Sequence, residues 1–329
     1  MFLAELAPPK VRGAVVSAFQ LMITVGILVS YGVDLAIAPF EDWRLLLALG
    51  AIPAVVALDG ILRSPESPRW LVLRGRSGDA RRVIETLQPD LPAGGAGRTV
   101  RDIAAAIAAQ PPAAHWGMFL APRVLPIVSF AMVLFFLQQL SGINAVIYYA
   151  PRIMGEAGLD GVTAQLTATV GLGFLNAVMT VVAMAVVDRF GRRPLLLVGF
   201  AGATVSLALI AVAFATPTDD APLALTGLVL YIAFFAVALG PLPWLYMSEL
   251  FPMRLKTRGM ALAAAANWSM NFLVVFLFPV LLSAVGATAT FAIFAGFCAF
   301  GIVYAFLMAP ETKGASLEDV ERILGTERG

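Results

Sequence analysis

The sequence is poor in the residues that build metal centres and disulfides. It has one cysteine, Cys298, and one histidine, His115, in 329 residues. A disulfide framework or a Cys/His metal site needs several such residues at defined spacings. No Ser/His/Asp set and no glycine-rich phosphate-binding motif is visible either. We therefore expect no cofactor and no enzyme activity.

Charged residues are also scarce. Charged residues make up 13% of the chain and the net charge is +1, whereas soluble domains average about a quarter charged. No basic excess points to nucleic acid as a partner. The hydrophobic share is 60% and the mean hydropathy is +0.88. This composition excludes a soluble enzyme and predicts an all-α polytopic membrane protein.

Eight stretches are long and apolar enough to cross a bilayer, which takes about 20 residues. They are 13–33, 43–63, 124–150, 163–187, 194–215, 222–247, 260–284 and 288–309. If the spans alternate, all 22 basic residues except Arg44 and Arg152 fall on one side, which the positive-inside rule makes cytoplasmic. The loop from 64 to 122 then forms a cytoplasmic insert, with short helices predicted at 78–87 and 100–109.

An internal repeat divides the chain. ELAPPKVRG at 5–13 matches ELFPMRLKTRG at 249–259, and PESPR at 65–69 matches PETKG at 310–314. Parallel repeats of this kind occur in transporters built from two six-helix halves. Four spans precede the second copy. Almost nothing precedes the first copy, because residues 1–7 are only the end of another span. We expect about 120 further residues upstream by this symmetry.

The spans contain few polar side chains, and these are neutral amides and hydroxyls accompanied by aromatic rings. They are Gln20, Gln138, Gln139, Ser141, Asn144, Asn176, Asn267 and Asn271, with Tyr148, Tyr149, Trp244 and Trp268. Such groups suit an uncharged polyol or sugar. The alternative is that they only hydrogen-bond helix to helix. The helix that contains Gly240, Pro241 and Pro243 must bend, and the bend also has two interpretations. It is either a hinge beside a substrate or a passive kink.

Charged residues recur at repeat-related positions in the cytoplasmic loops. Glu5 stands seven residues before Arg12, and Glu249 seven before Lys256. We interpret them as ion pairs that hold the cytoplasmic ends together, with solvated loop charges as the alternative. Asp59 and Arg63 are predicted to form a helical i,i+4 pair at the interface rather than a proton site.

These segments together resemble the sugar porter family of the major facilitator superfamily. The motifs that carry the resemblance are PESPR at 65–69, QQLSGINAVIYY at 138–149, DRFGRR at 188–193, GPLPW at 240–244, NW at 267–268 and PETKG at 310–314. The implied fold has twelve helices, of which eight full transmembrane helices and the end of a ninth are present, with the cytoplasmic helical insert between the halves. The predicted parts are 1–63 (remnant of the first half), 64–122 (linker), 123–310 (second half) and 311–329 (cytoplasmic tail).

The resemblance also implies residue roles. Sugar contacts fall on Gln20, Gln138, Gln139, Asn144, Asn176, Trp244 and Asn267. The gate falls on Tyr148 and Tyr149, to which we add the Gly240, Pro241 and Pro243 hinge. The cytoplasmic latch comprises Glu5, Arg12, Glu66, Arg69, Asp188, Arg189, Arg193, Glu249 and Lys256. Two departures are Lys256, where the family has arginine, and Ala236, near which facilitators carry an acid.

The implied function is transport of a monosaccharide, a hexose or pentose, by alternating access across the plasma membrane. The expected partners are the sugar, a coupled proton and the lipid bilayer, and the expected state is a monomer with cytoplasmic termini. Sugar:proton symport is the implied mode, although the proton-binding acid of the family would lie upstream of Met1. A truncated product that does not transport and a sugar sensor of the same fold are the alternatives.

Overall fold

The computed structural model describes residues 12–92, 94–109, 116–122, 124–216, 221–251 and 253–313, without the side chains of 12–20, 116, 188, 253 and 254. Within these ranges the chain forms helices and turns and no strand. The all-α expectation is confirmed, as the bilayer requires of a chain whose backbone groups must be satisfied within each span.

The apolar helices follow the predicted spans. They are α1 (Arg12–Ile37), α2 (Trp43–Leu49), α3 (Ala51–Arg63), α7 (Leu125–Leu140), α8 (Ile143–Tyr148), α9 (Ala150–Glu156), α10 (Val162–Phe190), α11 (Arg192–Ala213), α12 (Ala221–Phe234), α13 (Leu242–Leu250) and α14 (Met253–Met308). Short 3₁₀ turns lie at Ala38–Phe40 and Trp116–Leu120, and a π-helical turn joins α12 to α13.

Seven of the described segments are long and apolar enough to span a membrane. The last of them, Leu255–Met308, has 54 residues and would measure about 80 Å as one straight helix, more than twice the ~30 Å hydrocarbon core. Gly286 interrupts it with φ 78°, at the boundary predicted between 260–284 and 288–309. An apolar helix thus covers each predicted stretch, and the numbers of spans, eight in this chain and twelve in the whole fold, stay predictions.

Contacts divide the chain into two compact units. The first joins the described residues up to Ile23 with those of 39–112. In it, α4 (Pro68–Leu73), α5 (Ser77–Leu87) and α6 (Gly95–Ala108) pack around Leu71, Ala80, Ile84, Ala96 and Val100. The predicted insert helices are confirmed, but α6 begins five residues before the predicted 100. The reason is that Ala96 is buried in the same small core.

The second unit joins 24–38 with the described residues of 113–329. Its core is a continuous apolar cluster centred on α7, α11 and α14, and its largest fully buried side chains include Phe135, Phe200 and Phe291. In the first unit, by contrast, no residue in the apolar window of 43–63 is buried.

Candidate functional site

Two interrupted helices meet in the second unit. The first interruption separates α7 from α8 at Gly142, which has φ +84°. A Cβ at this position would lie 2.4 Å from the Phe294 ring. Glycine is therefore required both by the backbone conformation and by the close approach of α14. The second interruption is the π-helical turn Phe235–Leu239 that precedes α13.

Gln138 connects these two interruptions. Pro243 has no N–H, so the carbonyl of Leu239, four residues earlier, lacks its helical donor. Nε2 of Gln138 donates to this carbonyl at 2.7 Å and to the carbonyl of Gly240 at 3.2 Å. The glutamine thereby satisfies the carbonyl that Pro243 releases, which is the condition for a broken helix at membrane depth.

The neighbouring amides form a second chain of hydrogen bonds. Nδ2 of Asn144 donates to Oε1 of Gln139 at 2.9 Å, and Nε2 of Gln139 donates to Oδ1 of Asn267 at 2.7 Å. We call Gln138, Gln139, Asn144 and Asn267 the amide cluster. It joins α7, α8 and α14, and three of its four members are buried. The sequence-predicted sugar contacts on these helices are therefore brought together.

A buried hydroxyl pair supports the end of α7 beneath the cluster. The Tyr231 hydroxyl donates to the carbonyl of Ser141 at 2.8 Å, and Ser141 Oγ donates to the carbonyl of Gln138 at 2.6 Å. Tyr231 and Ser141 are both fully buried. These bonds occupy carbonyls at the end of α7 that have no partner within the helix, and they fix the backbone from which Gln138 and Gln139 project.

Two acceptor atoms at this site have no hydrogen-bond partner in the described part of the chain. They are Oε1 of Gln138 and Oδ1 of Asn271, on residues 4% and 6% exposed. A buried acceptor without a partner costs about 1–3 kcal/mol, so each is a place where a donor from a ligand gains free energy. Asn271 was outside the predicted sugar set, although its i+4 spacing from Asn267 places both on one face of α14.

An open cavity of about 560 Å³ adjoins Asn271. Its lining is mostly aromatic and consists of Tyr148, Tyr149, Trp268, Asn271, Phe272, Val275, Phe276 and Pro279. Both predicted gate tyrosines thus face one cavity. Tyr148 is exposed, and Tyr149 is half-buried with its ring centroid 5.2 Å from that of Phe278.

The other predicted sugar contacts lie apart from the hydrogen bonds of the amide cluster. Trp244 is half-buried, and its ring meets Phe135 edge-on with centroids 4.7 Å apart. Asn176 is buried and lines a small cavity with Tyr31 and Ile147. The Gln20 side chain lies outside the described residues.

A charged cluster lies where α11 begins and where α13 and α14 end. We define it as Arg192, Arg193, Glu249, Glu311 and Lys313. Arg192 Nη2 pairs with Oε1 of Glu249 at 3.0 Å, and the Thr312 hydroxyl donates to the other oxygen of Glu249. Both partners of the ion pair are largely buried, with side chains 11% and 23% exposed.

Glu311 caps the first turn of α11. Its oxygens accept from the backbone N–H groups of Arg192 at 3.0 Å, Arg193 at 3.1 Å and Lys313 at 2.9 Å. Burial by itself raises the pKa of this carboxyl, but the three N–H donors and the Arg192 charge outweigh burial and lower the pKa. A carboxylate at a helix N-terminus also complements the helix dipole.

The structure distributes the predicted latch residues over several environments. Glu249 and Arg193 belong to the charged cluster, and Arg193 Nη2 donates to the carbonyl of Phe306 at 2.6 Å. Arg189 is exposed and contributes its carbonyl, which accepts from Lys313 Nζ at 2.7 Å. Lys256 is half-buried and has no ion pair with any residue that is described.

The remaining latch residues lie elsewhere. In the first unit, Glu66 is exposed and Arg69 is half-buried. Glu5 and the side chains of Arg12 and Asp188 lie outside the described residues. The prediction missed Arg192 and Glu311, although both stand in the quoted motifs at 188–193 and 310–314. The predicted Asp59–Arg63 pair is confirmed at 2.9 Å, with both side chains exposed.

Groups of three or more His, Cys, Asp and Glu that could hold a metal ion do not occur among the described residues. The candidate site is therefore defined by neutral amides, aromatic rings and two interrupted membrane helices. Polar side chains and broken helices at membrane depth occur where a helical bundle lines a cavity or a ligand path.

Comparison with known proteins decides the family. The family model described as sugar (and other) transporter matches residues 1–324. The chain belongs to this family. A relative in Bacillus subtilis (strain 168), the probable metabolite transport protein CsbC, is 37% identical, with 98% of this chain and 70% of the relative covered. The galactose-proton symporter of Escherichia coli (strain K12) is 34% identical, with 98% and 70% covered.

Among solved structures of this family, the proton:xylose symporter XylE bound to 6-bromo-6-deoxy-D-glucose is similar to this chain. The TM-score is 0.74 at 30% sequence identity, and 98% of this chain and 69% of that chain are covered. The major facilitator superfamily fold expected from the motifs is therefore confirmed, and the chain spans about 70% of the length of these relatives.

Proposed function

We propose that this sugar transporter family member carries a monosaccharide across the plasma membrane by alternating access, in symport with protons. The observation that carries the proposal is the amide cluster at the junction of two interrupted helices, together with the unpartnered acceptors of Gln138 and Asn271. The family match and the two proton symporters among the similar proteins support it.

The chemistry of the cluster fits a sugar. A sugar hydroxyl both donates and accepts, so it can donate to Oε1 of Gln138 or Oδ1 of Asn271 and accept from a side-chain amide. The site needs only modest affinity, because a dissociation constant near 1 mM corresponds to about −4 kcal/mol. A few hydrogen bonds of about 1 kcal/mol each, with contact to the half-buried Trp244, supply this amount.

The interrupted helices supply the means of movement. Segments beyond Gly142 and beyond Gly240 can tilt without breaking a continuous helical hydrogen-bond ladder. We infer that Tyr148 and Tyr149 close over the sugar when α8 and α9 tilt. The cytoplasmic latch would hold the opposite end closed until the protein opens inward. We further infer that the termini are cytoplasmic, that the protein acts as a monomer and that the substrate leaves chemically unchanged.

Counterflow in proteoliposomes tests the proposal. Vesicles containing the 329-residue chain and loaded with unlabelled D-xylose, D-glucose or D-galactose should accumulate the matching labelled sugar, which chromatography should recover unmodified. An imposed inward proton gradient should raise the accumulation, and a protonophore should abolish that increase. Absence of counterflow for every hexose and pentose would contradict the transport proposal, and indifference to the gradient would contradict symport.

Asn144→Ala tests the site within the same assay. It removes one amide of the cluster and should lower counterflow at least tenfold. Gln165→Ala is the matched control, because Gln165 also donates from its side-chain amide to a backbone carbonyl, that of Leu159 at 2.9 Å, outside the cluster. Equal activity of the Asn144 variant and the control would contradict the site assignment.

A further inference from the structure

Tyr31 links α1 to the segment that carries the gate tyrosines. Its hydroxyl donates to the carbonyl of Ile147 at 2.6 Å. Both residues belong to the second unit, which contains 24–38 of α1. Ile147 lies in the last turn of α8, directly before Tyr148 and Tyr149. The bond therefore joins two elements that are 116 positions apart in sequence.

The carbonyl of Ile147 needs a donor from outside its own helix. In a continuous helix its partner would be the N–H of residue 151, but position 151 is proline and has none. The backbone is interrupted at this point, since α8 ends at Tyr148 and α9 begins at Ala150. Tyr31 therefore occupies the position of the missing helical donor, just as Gln138 does for Leu239.

The tyrosine ring is held closely. A Cβ at Gly173 of α10 would lie 2.7 Å from Cδ2 of the ring, so a larger residue there would collide with it. The adjoining cavity, lined by Ile27, Tyr31, Val146, Ile147, Asn176 and others, measures about 10 Å³. That volume is at or below what one water molecule needs. Water has little room to replace the hydroxyl if it is removed.

We infer that Tyr31 is a positioning residue for the gate tyrosines, Tyr148 and Tyr149. Its hydroxyl fixes the α8–α9 junction relative to α1 and α10, and so sets where Tyr148 and Tyr149 stand. Its effect on turnover rests on the proposed transport function. The hydrogen bond itself is independent of that function and can be measured separately.

Tyr31→Phe removes the hydroxyl and keeps the ring. Amide hydrogen exchange over 143–156 should become about 5- to 30-fold faster, since an unsatisfied carbonyl lowers the local opening free energy. Sugar turnover should fall by a similar factor, with a smaller change in KM. Tyr246→Phe is the control, because its hydroxyl also donates to a carbonyl, that of Pro310 at 3.0 Å, and its loss should leave exchange at 143–156 unchanged.

The rescue variant makes the test specific. Pro151→Ala restores an N–H four residues after Ile147, so the double variant Tyr31→Phe/Pro151→Ala should recover slow exchange and turnover. Wild-type exchange in Tyr31→Phe, or fast exchange that persists in the double variant, would overturn the inference. If exchange follows this pattern but the wild-type protein moves no sugar, the bond is supported and the proposed function fails.

Discussion

The amide cluster and the charged cluster both hold helices together, but they do so with different chemistry. Each joins three or more helices of the second unit through side-chain hydrogen bonds. In the charged cluster, every carboxylate oxygen of Glu249 and Glu311 has at least one donor, and the buried atom without a partner among the described residues is a donor, Nε of Arg193. At the amide cluster, Oε1 of Gln138 has none within the described residues, and neither has Oδ1 of the adjacent Asn271.

We interpret this difference in hydrogen-bond partners as the difference between a structural cluster and a ligand-binding one. A buried charge without a partner is too costly to keep, so ion pairs must be completed by the protein itself. An unpartnered amide oxygen costs only about 1–3 kcal/mol, an amount that a ligand can return when it binds. The charged cluster should therefore govern stability, and the amide cluster should govern binding.

The largest effect expected is the loss of the buried ion pair. Arg192→Ala leaves Glu249 without its cationic partner and should destabilise the protein by about 3–5 kcal/mol, with little change in sugar affinity of the folded fraction. Thermal unfolding in detergent measures it. Arg152→Ala is the matched control, since its pair with Glu156 at 2.9 Å is more exposed. Similar unfolding temperatures for the two variants would contradict the structural role of the charged cluster.

Gln138→Ala should show the reverse pattern. It removes a spare acceptor for the sugar and the donor to Leu239 and Gly240, so sugar affinity should fall about 10- to 100-fold. Quenching of tryptophan fluorescence by added monosaccharide measures the affinity. Gln165→Ala should bind sugar like the wild type. A Gln138 variant that unfolds readily but binds sugar normally would make the amide cluster purely structural.

The clusters should also differ in their response to acid. The pKa of Glu311 is lowered in the folded protein, so its stabilising contribution is present above the ordinary carboxyl pKa of 4.5 and is lost as pH falls through the lowered value. The difference in unfolding temperature between wild type and Glu311→Gln should persist from pH 7 to about 5 and shrink below that range. A difference that instead grows on acidification would contradict the sign of the shift.

The smallest effect is expected outside both clusters. The Asp59–Arg63 pair has side chains 54% and 79% exposed, and exposed helical pairs contribute about 0.3–0.5 kcal/mol. Asp59→Asn should leave unfolding temperature and proton-driven uptake nearly unchanged. A loss of proton coupling in this variant would show that Asp59 carries protons.

Local rules predicted most of the fold, because each span is specified by its own apolar length. The break at Gly286 was predicted from the boundary between two such lengths, and the early start of α6 was not, since it depends on Ala96 meeting Leu71 and Ile84. The four residues of the amide cluster were likewise predicted as types that suit a sugar. Their pairing was not, because it depends on contacts between helices far apart in sequence, such as the bond of Gln138 to the carbonyl that Pro243 releases, 101 positions away.

The charged cluster shows the same limit more clearly. Sequence spacing favoured Glu249 with Lys256, both in one repeat-related segment, whereas Glu249 pairs with Arg192 from another helix. Tertiary packing brings α11 and α13 together, and no local pattern encodes that approach. Tyr31 was missed for the same reason, since its importance follows from a neighbour distant in sequence, and Asn271 was predicted only as one of the membrane amides and not as a sugar contact.

Deoxyfluoro sugars test the central claim most directly. Replacing a hydroxyl by fluorine removes the donor, so at one ring position the fluoro sugar should bind the wild type about 5- to 20-fold more weakly than the parent sugar. That difference should disappear in Gln138→Met, which keeps the side-chain length without the acceptor. If no ring position shows such coupling to Gln138 while binding is otherwise normal, the spare oxygen of the amide cluster does not receive the sugar.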